Sequence, residues 1–168
     1  MVDLKAQYQR HKTEIDNSIQ SVIDSAVFIK GNIVAEFEKQ LSNFIGGANV
    51  ISCGNGTDAL QIAMMALELK PGDEVILPAF TYAATAEVIA LLGLTPVLID
   101  VNEDTFNINV NLIEAAIGPK TKAIVPVHLF GQCADMETIM KIASKHNLFV
   151  IEDAAQAIGS IFTFSDGS

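Results

Sequence analysis

Near the start of the chain, apolar residues return every third or fourth position. Ile15, Ile19, Val22, Ile23 and Ala26 line one face of a helix predicted from about Lys5 to Ala26. Phe28-Ile29-Lys30-Gly31-Asn32 interrupts that pattern. A second helix carries Val34, Phe37, Leu41 and Phe44 on one face and stops at Gly46-Gly47, where freedom at positive φ suits a helix C-terminus. From there the pattern alternates. Strands are predicted at Asn49 to Cys53, Glu74 to Leu77, Pro96 to Val101, Lys122 to Val127 and Leu148 to Ile151. Helices fall between them at Asp58 to Leu69, Ala83 to Leu92, Val110 to Ile117 and Met136 to His146, with a turn at Pro71-Gly72. Five short apolar runs separated by helices read as α/β: a mainly parallel, doubly wound sheet with right-handed crossovers, in one domain spanning residues 1–168.

The last of these runs locates a site. Leu148-Phe149-Val150-Ile151 is apolar without alternation, as in a strand buried on both faces, so Glu152 and Asp153 fall where it leaves the core. If the strands are parallel, their C-terminal ends bring Gly54, Pro78 to Tyr82, Asp100, His128 and Asp153 to one rim, the edge at which open α/β sheets bind ligands.

Composition narrows the partners. Ten basic against twenty acidic residues give a formal net charge of -10, and Arg10 is the lone arginine, so the clustered cations needed to neutralise nucleic-acid phosphates are missing. The N-terminus lacks the basic-then-apolar layout of a signal peptide, and the most apolar region, Val88 to Ile99, is too short for a membrane span and contains Gly93 and Pro96. A cytoplasmic location is the expectation. Cys53 and Cys133 form no disulfide framework or Cys-x-x-Cys site, and His11, His128 and His146 lack ligand spacing, so no metal is expected.

Three segments carry candidate chemistry. Ser52-Cys53-Gly54-Asn55-Gly56-Thr57-Asp58 is a glycine-rich bend from strand to helix, whose exposed N–H groups and Thr57 hydroxyl can hold a phosphate. It reads equally as a plain turn with Thr57 or Asp58 as N-cap. On Pro78-Ala79-Phe80-Thr81-Tyr82-Ala83-Ala84-Thr85, Tyr82 can lie against a flat heteroaromatic ring, or Phe80 or Tyr82 can plug the core. Asp153 can hold a protonated pyridine nitrogen through a charge-assisted bond, or cap the turn that follows it. Gln156 and His128 read either as ligand contacts or as hydrogen-bonded structural residues, and Asp100 as a turn cap.

Further segments set these three in a pattern: Asp3-Leu4-Lys5-Ala6-Gln7-Tyr8, Phe28-Ile29-Lys30-Gly31, Gly56-Thr57-Asp58-Ala59-Leu60, Pro71-Gly72-Asp73-Glu74-Val75-Ile76, Pro126-Val127-His128-Leu129-Phe130-Gly131-Gln132 and Ile151-Glu152-Asp153-Ala154-Ala155-Gln156. In this order they resemble the sugar aminotransferases of the DegT/DnrJ/EryC1/StrS family, which use pyridoxal 5′-phosphate (PLP). The resemblance covers nearly the whole chain. It implies the N-terminal part of a PLP fold-type-I large domain, an incomplete one, with the rest of that domain and a small C-terminal domain outside these residues. It also implies that the backbone at Gly56 and Thr57 holds the cofactor phosphate, that Tyr82 stacks on the ring, that Asp153 pairs with the ring nitrogen and that Gln156 lies near the phenolic oxygen. Lys30, in a loop that resembles a substrate-contacting region, and His128 are the substrate-side candidates. The reaction implied moves an amine from an amino acid, usually glutamate in the family, to a keto sugar carried on a nucleotide, for surface polysaccharide or related glycoside synthesis. By resemblance the working state is a homodimer.

In one respect the chain departs from the pattern. The family's Schiff-base lysine lies downstream of the acidic strand end, and no lysine follows Asp153 before Ser168. Phe162-Thr163-Phe164-Ser165-Asp166-Gly167-Ser168 reads as the start of a hairpin. The expectation is therefore an N-terminal part of a longer enzyme, inactive alone. The alternatives are a PLP-dependent sugar dehydratase of the same family, with histidine in place of that lysine, and a non-catalytic binding or assembly module on the same scaffold.

Overall fold

The computed structural model describes residues 3–167, so Met1, Val2 and Ser168, the last residue of the expected hairpin start, lie outside it. Where the sequence reads as one domain, the described residues group into two compact units divided after Ser52.

The N-terminal unit is helical. Its elements are α1 (Leu4–Arg10), α2 (Lys12–Ser25) and α3 (Asn32–Phe44). The single helix expected from Lys5 to Ala26 is two, because the chain breaks at His11 (φ -111°, ψ 15°). The break has no Pro or Gly to announce it. It is bridged by side chains: the Tyr8 hydroxyl donates to Asp16 at 2.7 Å, and Lys12 pairs with Asp16 and donates to Tyr8 at 3.1 Å. No described residue of this unit is buried. The strand expected at Asn49 to Cys53 is absent, and Ile51 is 85% exposed. Strand geometry needs a ladder partner, and none pairs with these residues among those described.

The second unit is the α/β part. Its elements run α4 (Gly56–Ala66), β1 (Glu74–Pro78), α5 (Ala84–Leu91), β2 (Thr95–Ile99), α6 (Val110–Ala116), β3 (Thr121–Ile124), α7 (Met136–His146) and β4 (Phe149–Val150). All pairings are parallel, in the order β2-β1-β3-β4, with Ile76 opposite Ile124 and Ile124 opposite Val150. Alternation along the strands gives each face its own core. Ile76, Ile99 and Ile124 meet Ile113 of α6 and Met136, Ile139 and Ile142 of α7. Val75, Leu77, Ala123 and Val125 meet Leu60 and Met64 of α4 and Val88 and Ile89 of α5. Local chemistry sets the ends of α7: Asp135 accepts from the Thr138 N–H at 3.1 Å, and Asn147 stops the helix at φ 53° behind Lys145 and His146 in its last turn.

The chain leaves β1 for β2 on one side and then crosses to β3 on the other. The crossovers diverge at β1 and β3, which opens a crevice beyond the C-terminal ends of those strands. Among the described residues no helix is long and apolar enough to cross a membrane.

Candidate functional site

The start of α4 forms one wall of that crevice. Asn55, extended at φ -167°, caps the helix by accepting from the Asp58 N–H at 2.9 Å, and its own amide donates to the Asp58 carboxylate at 3.0 Å. That arrangement turns the acid toward Gly54, where a Cβ would meet Asp58 Oδ2 at 2.8 Å. The N–H groups of Gly56 and Thr57 stand in the first turn with no carbonyl of the helix behind them, at the positive end of its dipole. A Cβ on Gly56 would meet nothing within 4 Å, so the space in front of this turn is open.

The opposite wall comes from the chain after β4. Asp153 is buried at 9% exposure, fixed by its N–H to the Pro126 carbonyl (2.9 Å) and by its carbonyl to the His128 N–H (3.0 Å). This bridge between the chain after β3 and the chain after β4 extends the parallel sheet past its last regular residue. The carboxylate accepts from the Thr85 hydroxyl at 2.9 Å through Oδ2 and from the Ala155 N–H at 3.3 Å through Oδ1. Thr85, in the first turn of α5, has no exposed surface. Nothing in the sequence around Thr85 marks it for a role, because its partner lies 68 positions away.

Between the walls lies a cleft of about 280 Å3, lined among others by Gly56, Thr57, Tyr82, Thr85, Asp153 and Gln156. Five of these are the cofactor-side residues expected from sequence, drawn from three separate segments. Tyr82 is 77% exposed and so is no core plug, and it borders the cleft. The Gln156 side-chain amide oxygen, Oε1, accepts from the Phe130 N–H at 2.7 Å, which ties the loop after β4 to the loop after β3. No Lys or Arg is among the residues described along this cleft, so an anion there meets backbone N–H groups and hydroxyls.

The remaining candidates sit elsewhere. The expectation that His128 faces a substrate is revised: the ring is 3% exposed, Nδ1 accepts from the Ala134 N–H at 3.1 Å, and Nε2 is left to donate to Glu152 at 2.8 Å. Both nitrogens are taken, so its other reading, a hydrogen-bonded structural residue, is the one that fits. The same bond holds the half-exposed Glu152 carboxyl below its ordinary range. Asp100 caps its own turn, accepting from the Val101 N–H at 2.8 Å. Phe80 is half exposed and packs against Phe106 with ring centres 5.5 Å apart and tilted by 41°, outside the core. Lys30, at φ 47°, belongs to the N-terminal unit.

A doubly wound α/β sheet with a helix start and a buried carboxylate facing across its crevice is the fold of PLP fold-type-I aminotransferase structures. Residues 9–164 match the DegT/DnrJ/EryC1/StrS aminotransferase family, and the chain belongs to it. It is 54% identical over 161 residues to a UDP-2-acetamido-2-deoxy-3-oxo-D-glucuronate aminotransferase of Pseudomonas aeruginosa, a match covering 96% of this chain and 45% of that protein. It is similar to the crystal structure of a DegT DnrJ EryC1 StrS aminotransferase from Brucella abortus, at 47% identity and a TM-score of 0.91 over 94% of this chain and 44% of that one. NtdA from Bacillus subtilis, solved with its cofactor PMP bound, aligns at 43% identity and a TM-score of 0.86 over 89% of this chain and 34% of its own. The chain thus spans less than half the length of these relatives.

Proposed function

We propose that the whole protein carrying this chain is a PLP-dependent aminotransferase acting on a nucleotide-linked keto sugar, with an amino acid such as glutamate as donor. The observation that carries this reading is the meeting of Gly56, Thr57, Tyr82, Asp153 and Gln156 along one cleft. Their chemistry fits the cofactor. Two first-turn N–H groups and a hydroxyl suit a phosphate, an exposed aromatic suits a flat ring, and a buried carboxylate suits a protonated ring nitrogen. When bound, pyridoxal phosphate supplies an electron sink for the charge left when a proton leaves the amine-bearing carbon. The chain's own residues do the rest of what is assigned here. The start of α4 binds the phosphate, Tyr82 limits tilt of the ring, Asp153 keeps a proton on the ring nitrogen, and Gln156 lies by the phenolic oxygen.

None of the lysines in these 168 residues is assigned the covalent role, and Lys30 is assigned to a substrate phosphate or carboxylate. The name of the Pseudomonas relative supports a UDP-linked 3-oxo sugar as the first substrate to try. Surface polysaccharide or related glycoside synthesis is the setting proposed, in the cytoplasm, where nucleotide sugars and glutamate are both available. Exposed Ile19, Phe37 and Phe44 on the helices of the N-terminal unit support assembly as a homodimer.

The test is to purify the whole protein, record its visible absorption with PLP, and follow amino-sugar formation from glutamate by mass spectrometry. Asp153→Asn is expected to weaken PLP binding and to lower turnover. A whole protein that takes up no PLP, or an Asp153→Asn variant that binds and turns over like the parent, would sink the reading.

A further inference from the structure

We infer that Thr85 is a positioning residue for the cofactor site: its buried hydroxyl, itself fed by Thr81, holds the Asp153 carboxylate in the orientation that receives the ring nitrogen. The inference rests on the cofactor reading above and deepens it.

A carboxylate can only accept, so in the 2.9 Å contact the proton is on Thr85 and points at Asp153 Oδ2. A hydroxyl has a single proton. The Thr81 hydroxyl, 3.4 Å from that of Thr85, must therefore be the donor in its contact. The result is a directed chain, Thr81 to Thr85 to Asp153, which starts at the half-buried loop after β1 and ends on a carboxylate in the cleft wall.

Burial makes the chain consequential. Thr85 has no exposed surface and Asp153 only 9%, and a buried carboxylate oxygen without a donor is costly. The second oxygen, Oδ1, has only the long 3.3 Å contact with the Ala155 N–H. Thr85 is thus the one side-chain donor described on Asp153, and it fixes which lone pairs remain for a ligand. The backbone holds Thr85 in turn: its N–H donates to the Tyr82 carbonyl at 3.2 Å, so the ring-facing tyrosine and the carboxylate-holding threonine share one turn.

The experiment uses the whole protein carrying Thr85→Val, which keeps the shape and loses the hydroxyl, and Thr85→Ser, which keeps the hydroxyl and loses a methyl. PLP affinity of the apo protein and the pH dependence of the bound cofactor's absorption are measured for each, with Asp153→Asn and the double variant alongside. The expected result is about a tenfold loss of affinity for Thr85→Val, a displaced absorption titration, and near-parental behaviour for Thr85→Ser. In the Asp153→Asn background, Thr85→Val is expected to add no further loss. The inference is overturned if Thr85→Val binds and titrates like the parent while Asp153→Asn does not, or if Thr85→Ser is the worse of the two, since the loss would then follow volume. If Asp153→Asn leaves affinity and titration unchanged, the cofactor reading fails and takes this inference with it.

Discussion

The two units of this chain start from similar hydrophobic periodicity and do different things with it. In the second unit, α7 buries Met136, Ile139, Ile142 and Ala143 against a sheet that is itself covered on both faces. In the N-terminal unit, α2 and α3 have comparably regular apolar stripes and bury nothing, with Ile19, Ile23, Ile33 and Phe37 all more than half exposed. An amphipathic pattern specifies the element and which face wants cover. Whether cover arrives depends on what the rest of the fold supplies. The functional residues follow the same divide: every residue assigned to the cofactor lies in the unit with the buried sheet, where strand ends can be held to a fraction of an ångström by their neighbours.

Deleting side chains in the 168-residue chain is expected to separate the two units most. Ile124→Ala, at a fully buried strand position, is expected to cost about 2–5 kcal/mol in urea denaturation. Ile29→Ala, at 86% exposure, is expected to change stability by no more than about 0.5 kcal/mol. Equal costs would mean that Ile29, in the segment between α2 and α3, is covered after all.

A smaller effect is expected at the helix ends. Ala26 closes α2 at φ 52° and Asn147 closes α7 at φ 53°, but asparagine tolerates the left-handed region and alanine does not. Ala26→Gly should therefore stabilise its helix by about 0.5–1 kcal/mol, read as ellipticity at 222 nm. Asn147→Gly should change thermal stability by only a few tenths of a kcal/mol.

The smallest effect is electrostatic. The Glu152 carboxyl is lowered from its ordinary 4.5, first by its hydrogen bond from His128. A group lowered on folding contributes stability that is present above its unfolded value and lost as pH falls through the folded one. The melting-temperature difference between the parent and Glu152→Gln should therefore be largest above about pH 5 and shrink below it. At the half-exposed Lys12–Asp16 pair of the N-terminal unit, Asp16→Asn is expected to give no measurable change.

Much of the second unit was legible because its signals are local. Glu74 to Leu77 and Met136 to His146 appear within a residue of where the periodicity puts them, whereas the cap of α4 is Asn55 and neither Thr57 nor Asp58. Tyr82 and Asp153 were legible for another reason, since parallel strands put their C-terminal ends on one rim; Gly56 and Thr57 were read from their glycine-rich bend, and the strand expected before them is absent. What escaped depended on distant partners. Asn49 to Cys53 has the composition of a strand but no ladder to join. The break at His11 is carried by side-chain bonds across it, with no breaker residue to read. Thr85 looked like one more small residue in a loop, because its significance lies in a carboxylate 68 positions away. Of the two readings open for His128, the structural one fits, through groups of Ala134 and Glu152 that occupy its ring.

The bond between Thr85 and Asp153 also has a consequence in time. A ribosome adding about 5–20 residues per second makes the threonine first and the aspartate roughly 3–14 s later, given the 68 positions between them. During that interval α4 and α5 can already pack on β1, while the hydroxyl destined for the carboxylate has no acceptor. The wall that Asp153 supplies to the cleft is therefore among the last features of the unit to form during synthesis.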